Sequence, residues 1–268
     1  MSGFILCQTQ KAKHPYYIEN IAMNIYSMEE LCYYLYHNLY LIDRTIINEE
    51  LCVWIQEELK LPQLAAKLKP KVGKFASAED ILYPIFKEIN YLTYEELKEL
   101  NRRLKKMDEE SLPERKKQKG DALVDNGMYV SAIRLYQKLL KEEEKENANE
   151  GFLSSVYHNL GCAYSYLFQM EKALECFEKA FQAAPSKESM KTYLLAFGSV
   201  RTPIEVESRL AELAGGEEIR KEVSAARESF SRIPEQPVYS QHIDELLEAF
   251  TSQYQRSVSQ NNSNCTVG

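Results

Sequence analysis

Apolar residues along most of this chain recur every three to four positions, the spacing that lines one face of a helix. The pattern is clearest between Ser154 and Pro185. Tyr157, Leu160, Tyr164 and Leu167 form one stripe and Ala173, Leu174, Phe177 and Phe181 a second, with Gln169 at the join and Pro185 at the close. Two such stripes back to back predict an antiparallel helical hairpin. Gly161 and Ala173 have little or no side chain where the helices would cross, so the backbones can approach closely. Tyr164 and Phe177 are then expected to fill the space on either side. A β-branched or larger residue at Gly161 would overpack that crossing, at about 1–3 kcal/mol.

The N-terminal part predicts further helices. Ser27 with Glu30 reads as a capping box, with Tyr26 and Leu31 as its hydrophobic staple, opening a helix to about Leu41. Leu31, Leu35, Leu39 and Ile42 make its stripe, and Tyr33, Tyr34, Tyr36 and Tyr40 cover much of the rest. A helix apolar nearly all round belongs in a core, although the same tyrosines could form an aromatic docking surface. Asn48 caps a helix through Leu59, with Leu51, Trp54 and Ile55 inward. Residues 62–72 are weakly helical. Ser77 caps a helix from Ala78 to about Tyr91, and Thr93 with Glu96 opens one that ends near Met107 on Leu97, Leu100 and Leu104. Residues 3–27 are ambiguous: Ile21, Met23 and Ile25 alternate like a strand, while Ile18, Ile21, Ala22 and Ile25 fit a helix equally well. The reading leans to short extended segments.

The hairpin at 154–185 resembles a tetratricopeptide repeat, a helix–turn–helix unit of about 34 residues. Tyr157 stands at the family's Trp position, Leu160-Gly161 is its Leu-Gly pair, and Tyr164, Ala173, Phe177, Ala180 and Pro185 occupy the remaining signature positions. The stretch RKKQKGDALVDNGMYVSAIRLYQKLL resembles the same unit less fully. Gly120, Leu123, Gly127, Ala132 and Tyr136 match, but Lys116 replaces the Trp-like residue, and Asp108 to Leu112 before it reads as a linker or the helix start. Ala132 and Ala173 lie 41 residues apart. The excess is assigned to EEEKENANEG, as a lengthened second helix and a solvated loop. Lys187 to Ser199 reads as the first helix of a third unit. Pro203 to Gly215, Glu217 to Ile233 (through Ile219, Val223, Ala226 and Phe230) and Ser240 to Tyr254 read as degenerate repeats and a terminal cap.

The expected fold is therefore all-α, with room for one short β element at the N-terminus. A helical domain at 1–107 precedes a short tetratricopeptide-like α-solenoid at 108–256, followed by a disordered tail at 257–268.

Composition narrows the function. The net charge is −7, which does not favour nucleic acid or anionic membrane. The basic cluster Arg115, Lys116, Lys117 and Lys119 has no interleaved aromatics and follows Asp108, Glu109, Glu110 and Glu114. It reads as a solvated helix face, with a nucleic-acid regulator kept as an alternative. Six cysteines without a C-x-x-C pair suit reduced thiols and a cytoplasmic setting. No run of about 18 apolar residues predicts a membrane span. The opening MSGFILC is too short, and lacks the preceding basic residue, for a secretory signal.

No phosphate loop, dinucleotide fingerprint, nucleophile elbow or zincin motif is present. His14, His37, His158 and His242 are scattered, and neither a metal nor a cofactor is expected. Cys162 lies one turn from His158, but a small residue after the signature Gly is ordinary in repeats. The expected function is a non-enzymatic adaptor or scaffold that holds a protein or peptide partner. The resemblance implies that the first helices line the binding groove, with Lys117, Asp121, Ser155, His158, Asn159, Cys162 and Tyr166 exposed there. One subset of the family grips a C-terminal carboxylate. Lys117 and Asn159 fall on two of its positions, but Asp121 replaces an Asn, and Ser189 and Tyr193 stand where cations would, so that grip is disfavoured. An alternative is an unrecognised catalytic or ligand-binding domain in the Tyr-rich N-terminal part, recruited by the repeats.

Overall fold

In the computed structural model, residues 9–72, 79–143, 149–213, 217–231, 247–248 and 251 are described. Pro15 opens the ambiguous N-terminal stretch as a small hairpin. Strand β1 (Tyr16–Ile18) pairs antiparallel with β2 (Met23–Ile25), Tyr16 opposite Ile25. Between them a 3-10 turn ends on Ala22 in the left-handed region, φ 51°. Everything else described is helical or connecting, so the fold class is all-α. The chain forms two units, Met1–Val206 and Glu207–Gly268.

In the first unit, α1 (Met28–His37) is shorter than its apolar stripe predicts. Asn38 ends it. The Asn38 amide donates to the carbonyl of Tyr34 at 3.1 Å, satisfying a helix-end acceptor from the side. Leu39–Leu41 then form a separate 3-10 turn. The capping box at Ser27 is also half realised. Ser27 accepts the N–H of Glu30, but the Glu30 carboxylate reaches past the cap to the N–H of Tyr26.

Asn48 caps α2 (Glu49–Glu57) as expected, and Pro62 opens α3 (Pro62–Leu68). Helix α4 (Glu79–Glu88) follows, its predicted Ser77 cap lying outside the described residues. Thr93 and Glu96 form a complete capping box on α5 (Tyr94–Glu109). Leu31, Leu35, Leu51, Ile55, Leu64, Leu82 and Ile85 are fully buried among these helices.

The segment 108–112 holds almost no linker. Ser111 and Glu114 make a second complete capping box, and α6 (Leu112–Asp125) starts at once with Pro113 in its first turn. Helix α6 packs on the 39–41 turn. Lys119 pairs with Asp43 at 2.7 Å, the Asn126 amide donates to Asn38 at 2.7 Å, and the Tyr40 hydroxyl donates to Glu110 at 2.9 Å.

Helices α7 (Tyr129–Glu143), α8 (Glu150–Tyr166), α9 (Met170–Ala183) and α10 (Lys187–Val200) each pack on the one before, and α8 also touches α6. Helices α7 and α9 have 15 and 14 residues, and residues 144–148, on which the expected lengthening and loop fall, lie outside the described residues. Helix α8 has 17 residues against 14 in α6, the additional ones standing at its front. Asn149 caps the extension, accepting the N–H groups of Gly151 and Phe152.

Helix α11 (Pro203–Glu212) runs across the boundary of the two units, and α12 (Glu217–Ser231) lies in the second, with Ile219 and Val223 buried. The predicted tail at 257–268, most of the 240–254 helix and the Gly215-Gly216 stop lie outside the described residues, as does the side chain of Phe230.

Candidate functional site: a polar row shared by two helices

The site begins at a glycine. Gly120 on α6 faces Tyr136 on α7, and a Cβ added there would sit 2.7 Å from the ring carbon that bears the hydroxyl. Lacking that carbon, α6 lets the ring lie against its backbone. The hydroxyl is thereby aimed at the next residue, donating to Asp121 Oδ1 at 2.5 Å. From α8, Asn159 Nδ2 donates to the same oxygen at 2.6 Å. From one turn earlier on α6, Lys117 Nζ reaches Oδ2 at 2.7 Å.

Three helices thus converge on one carboxylate, which accepts three hydrogen bonds, one of them charge-assisted. The Lys117 and Asp121 side chains are 16% and 24% exposed, so the pair is only partly hydrated. Tyr136 is fully buried, and burial together with Asp121 pushes its phenol far above the usual range. It therefore remains a protonated donor at any ordinary pH.

Of the residues that the sequence assigns to the groove, Lys117, Asp121 and Asn159 are brought together here. His158 is adjacent and half-buried. Burial first and the Lys117 ammonium second hold its pKa below the ordinary imidazole value, and its ring centroid lies 5.5 Å from that of Phe177. Cys162, one turn on, has its thiol pushed up by burial. A neutral imidazole beside a protonated, desolvated thiol is not an activated nucleophile pair.

Ser155 stands apart. Its hydroxyl donates to the Phe152 carbonyl of its own helix at 2.7 Å. Tyr166 is at the far end of α8, 58% exposed and stacked on Tyr129 at 4.6 Å between centroids. Neither third-unit position that a carboxylate grip would use presents a cation: Ser189 caps α10, and Tyr193 is buried against Phe181.

Sequence reasoning assigned Tyr136 only to packing and missed its hydroxyl. The signal was available. A tyrosine in the ring position that opposes the signature glycine carries a polar atom into the groove, one residue from an Asp.

Three of the four cations in the basic cluster on α6 are paired with carboxylates. Arg115 donates to the Glu110 carbonyl, Lys116 pairs with Glu142, Lys117 with Asp121 and Lys119 with Asp43. Among the described residues no grouping of three or more His, Cys, Asp or Glu could hold a metal ion, and no helix is long and apolar enough to cross a membrane.

Residues 154–187, which include most of α8 and all of α9, match the family model of the tetratricopeptide repeat. No curated protein matches the chain. Two solved structures are similar to it. One is a MamA RS-1 ArsTM double mutant, 15% identical, covering 72% of this chain and 97% of its own, with a TM-score of 0.34. The other is a putative kinesin light chain of Podosopora anserina with nearly identical TPR-like repeats, 17% identical, covering 69% of this chain and 94% of its own, with a TM-score of 0.32.

Proposed function

We propose that this chain, built around a tetratricopeptide repeat, is a non-enzymatic adaptor that holds an extended segment of a protein partner along α6 and α8. The observation that carries the reading is the Lys117–Asp121–Asn159 row. It is polar, partly hydrated, and bonded across two helices that belong to successive repeats. A row of this kind meets a peptide backbone with fixed donors and acceptors, so little ordering cost falls on the protein side.

The internal pairing of Lys117 supports a neutral or main-chain contact over an anionic terminus, because its charge is already met by Asp121. The pairing of Lys116 with Glu142 and of Lys119 with Asp43 likewise argues against phosphate contact and the nucleic-acid alternative. Cys32, Cys52, Cys162 and Cys176 are free thiols, which fits a cytoplasmic setting. Within the first unit, the helices before residue 107 serve as the end cap of the array, bonded to α6 through Asp43 and to its end residue Asn126 through Asn38.

The test is capture of partners from the native cell with the full chain as bait, identified by mass, against an Asn159→Ala/Lys117→Ala double variant. The variant should keep its circular dichroism and lose the partners that the wild type retains. If every co-purifying protein stays unchanged, the groove is not the binding surface.

A further inference from the structure

We infer that the groove between α4 and α5 is a binding site for a small carboxylate carried on an aromatic or branched apolar body. The groove holds about 340 Å³ and is lined by Tyr83, Phe86, Lys87, Asn90, Leu92, Leu97 and Asn101. That volume lies within the range of about 300–1,000 Å³ common to small-molecule clefts.

Its walls are apolar and held in place. Phe86 is buried, stacked on Tyr91 and met edge-on by Tyr36. The Tyr83 ring is fixed by its hydroxyl, which donates to Asn101 Oδ1 at 2.5 Å. A pocket already formed loses little entropy when it is filled.

Donors predominate among the polar groups around this floor. Tyr83 occupies the Asn101 carbonyl oxygen, so the amide N–H groups are what that side chain still offers. Asn90, held in the left-handed region at φ 48°, adds a second amide. Lys87 is the one charged residue in the lining, and it has no ion-pair partner among the described residues. An ammonium and two amides above an aromatic and leucine floor complement a carboxylate whose body is apolar. They do not complement a cation or a sugar. The site is independent of the α6–α8 row, and loss of one leaves the other standing.

The test uses the full chain and 3-phenylpropanoate, with backbone amide shifts and calorimetry as readouts. Saturable shifts confined to residues 83–101 are expected at millimolar ligand. The matched 3-phenylpropanamide should bind about tenfold more weakly. Lys87→Met should abolish the preference for acid over amide without changing the circular dichroism, since Lys87 is exposed. Leu97→Glu should remove binding of both ligands. Shifts that stay linear to the solubility limit would overturn the proposal. So would equal affinity for acid and amide, or a Lys87→Met protein that binds the acid as the wild type does.

Discussion

The two repeats build the same hairpin from different residues. In the first, Gly120 faces Tyr136; in the second, 41 positions on in both cases, Gly161 faces Phe177, where an added Cβ would lie 2.7 Å from the ring. What repeats is a missing side chain opposite a flat ring. What differs is the atom at the end of the ring. Phe177 ends in carbon, and its helix pair closes as an apolar joint. Tyr136 ends in a hydroxyl, and its joint is linked through Asp121 to Asn159 on α8. The glycine–ring contact makes the hairpin in both repeats, and in the first one oxygen also ties it to Asp121.

The largest way to break this comparison is to remove the ring. Phe177 is 5% exposed, and Phe177→Ala should cost about 3–5 kcal/mol in chemical denaturation, from lost burial and a cavity that the neighbours only partly fill. A loss under about 1 kcal/mol would mean that the ring does not join α8 to α9. Next comes the other half of the contact. Gly161→Val and Gly120→Val should each cost about 1–3 kcal/mol by overpacking. Similar losses from the two would show that the joints are equivalent despite their different rings, and a tolerated Gly120→Val would separate them.

Much of this was legible beforehand. Helical periodicity gave the hairpin, and the small residues gave the crossing. The caps at Asn48 and Thr93 follow from local hydrogen bonding, which depends on residues within three positions. One miss comes from a contact distant in sequence. Helix α1 stops at His37 because buried Asn38 is also held by Asn126, 88 residues away, and no local pattern announces that. The insertion between the repeats lengthens α8 because Asn149 happens to cap there. In the site, Lys117, Asp121 and Asn159 were found by register. Ser155 donates its hydroxyl back to its own helix, which register does not foretell: it gives the side of a helix and not where a hydroxyl turns.

The hydroxyl itself is the next test. Tyr136→Phe makes the first joint chemically like the second. It should cost about 1–3 kcal/mol, since a partly buried carboxylate loses a donor and only the oxygen is removed. Partner capture should fall with it. A protein unchanged in stability would show that water replaces the hydroxyl at no cost, and the distinction between the joints would then be one of packing alone.

A smaller effect depends on pH. The fold lowers the pKa of His158, so the folded chain favours neutral imidazole. The unfolded state then binds the proton more readily, and stability must fall with pH. The stabilisation is complete above the ordinary imidazole value of about 6.5 and is lost as pH drops from there to the lowered folded value. His37 is lowered as well, by burial first and Arg103 second, and adds in the same direction. His158→Gln should flatten part of the slope between pH 7 and 5 in thermal melts. An unchanged slope would assign it wholly to other groups.

The smallest effect lies in the turns. Gly127 has φ +74° and Phe168, at the matching position 41 residues later, φ 58°. Both turns close in the same way. Met128 N–H bonds to the Leu123 carbonyl at 2.8 Å and Gln169 N–H to that of Tyr164 at 3.0 Å, leaving the residue before each in the left-handed region. Glycine takes that conformation freely, whereas a side chain there costs about 1–2 kcal/mol. Phe168 recovers none of that cost by burial, being 89% exposed. Phe168→Gly should therefore stabilise the second repeat, but by less than the full penalty, because glycine also gives the unfolded chain more freedom, worth about 0.4–1 kcal/mol. The reverse change, Gly127→Phe, imposes that strain and takes the same freedom from the unfolded chain, so it should destabilise by about as much as Phe168→Gly gains. Equal and opposite shifts in denaturation midpoint would show that the two turns differ only in backbone strain. A Phe168→Gly protein that is less stable than wild type would show that the exposed ring is held by a contact worth more than the strain it imposes.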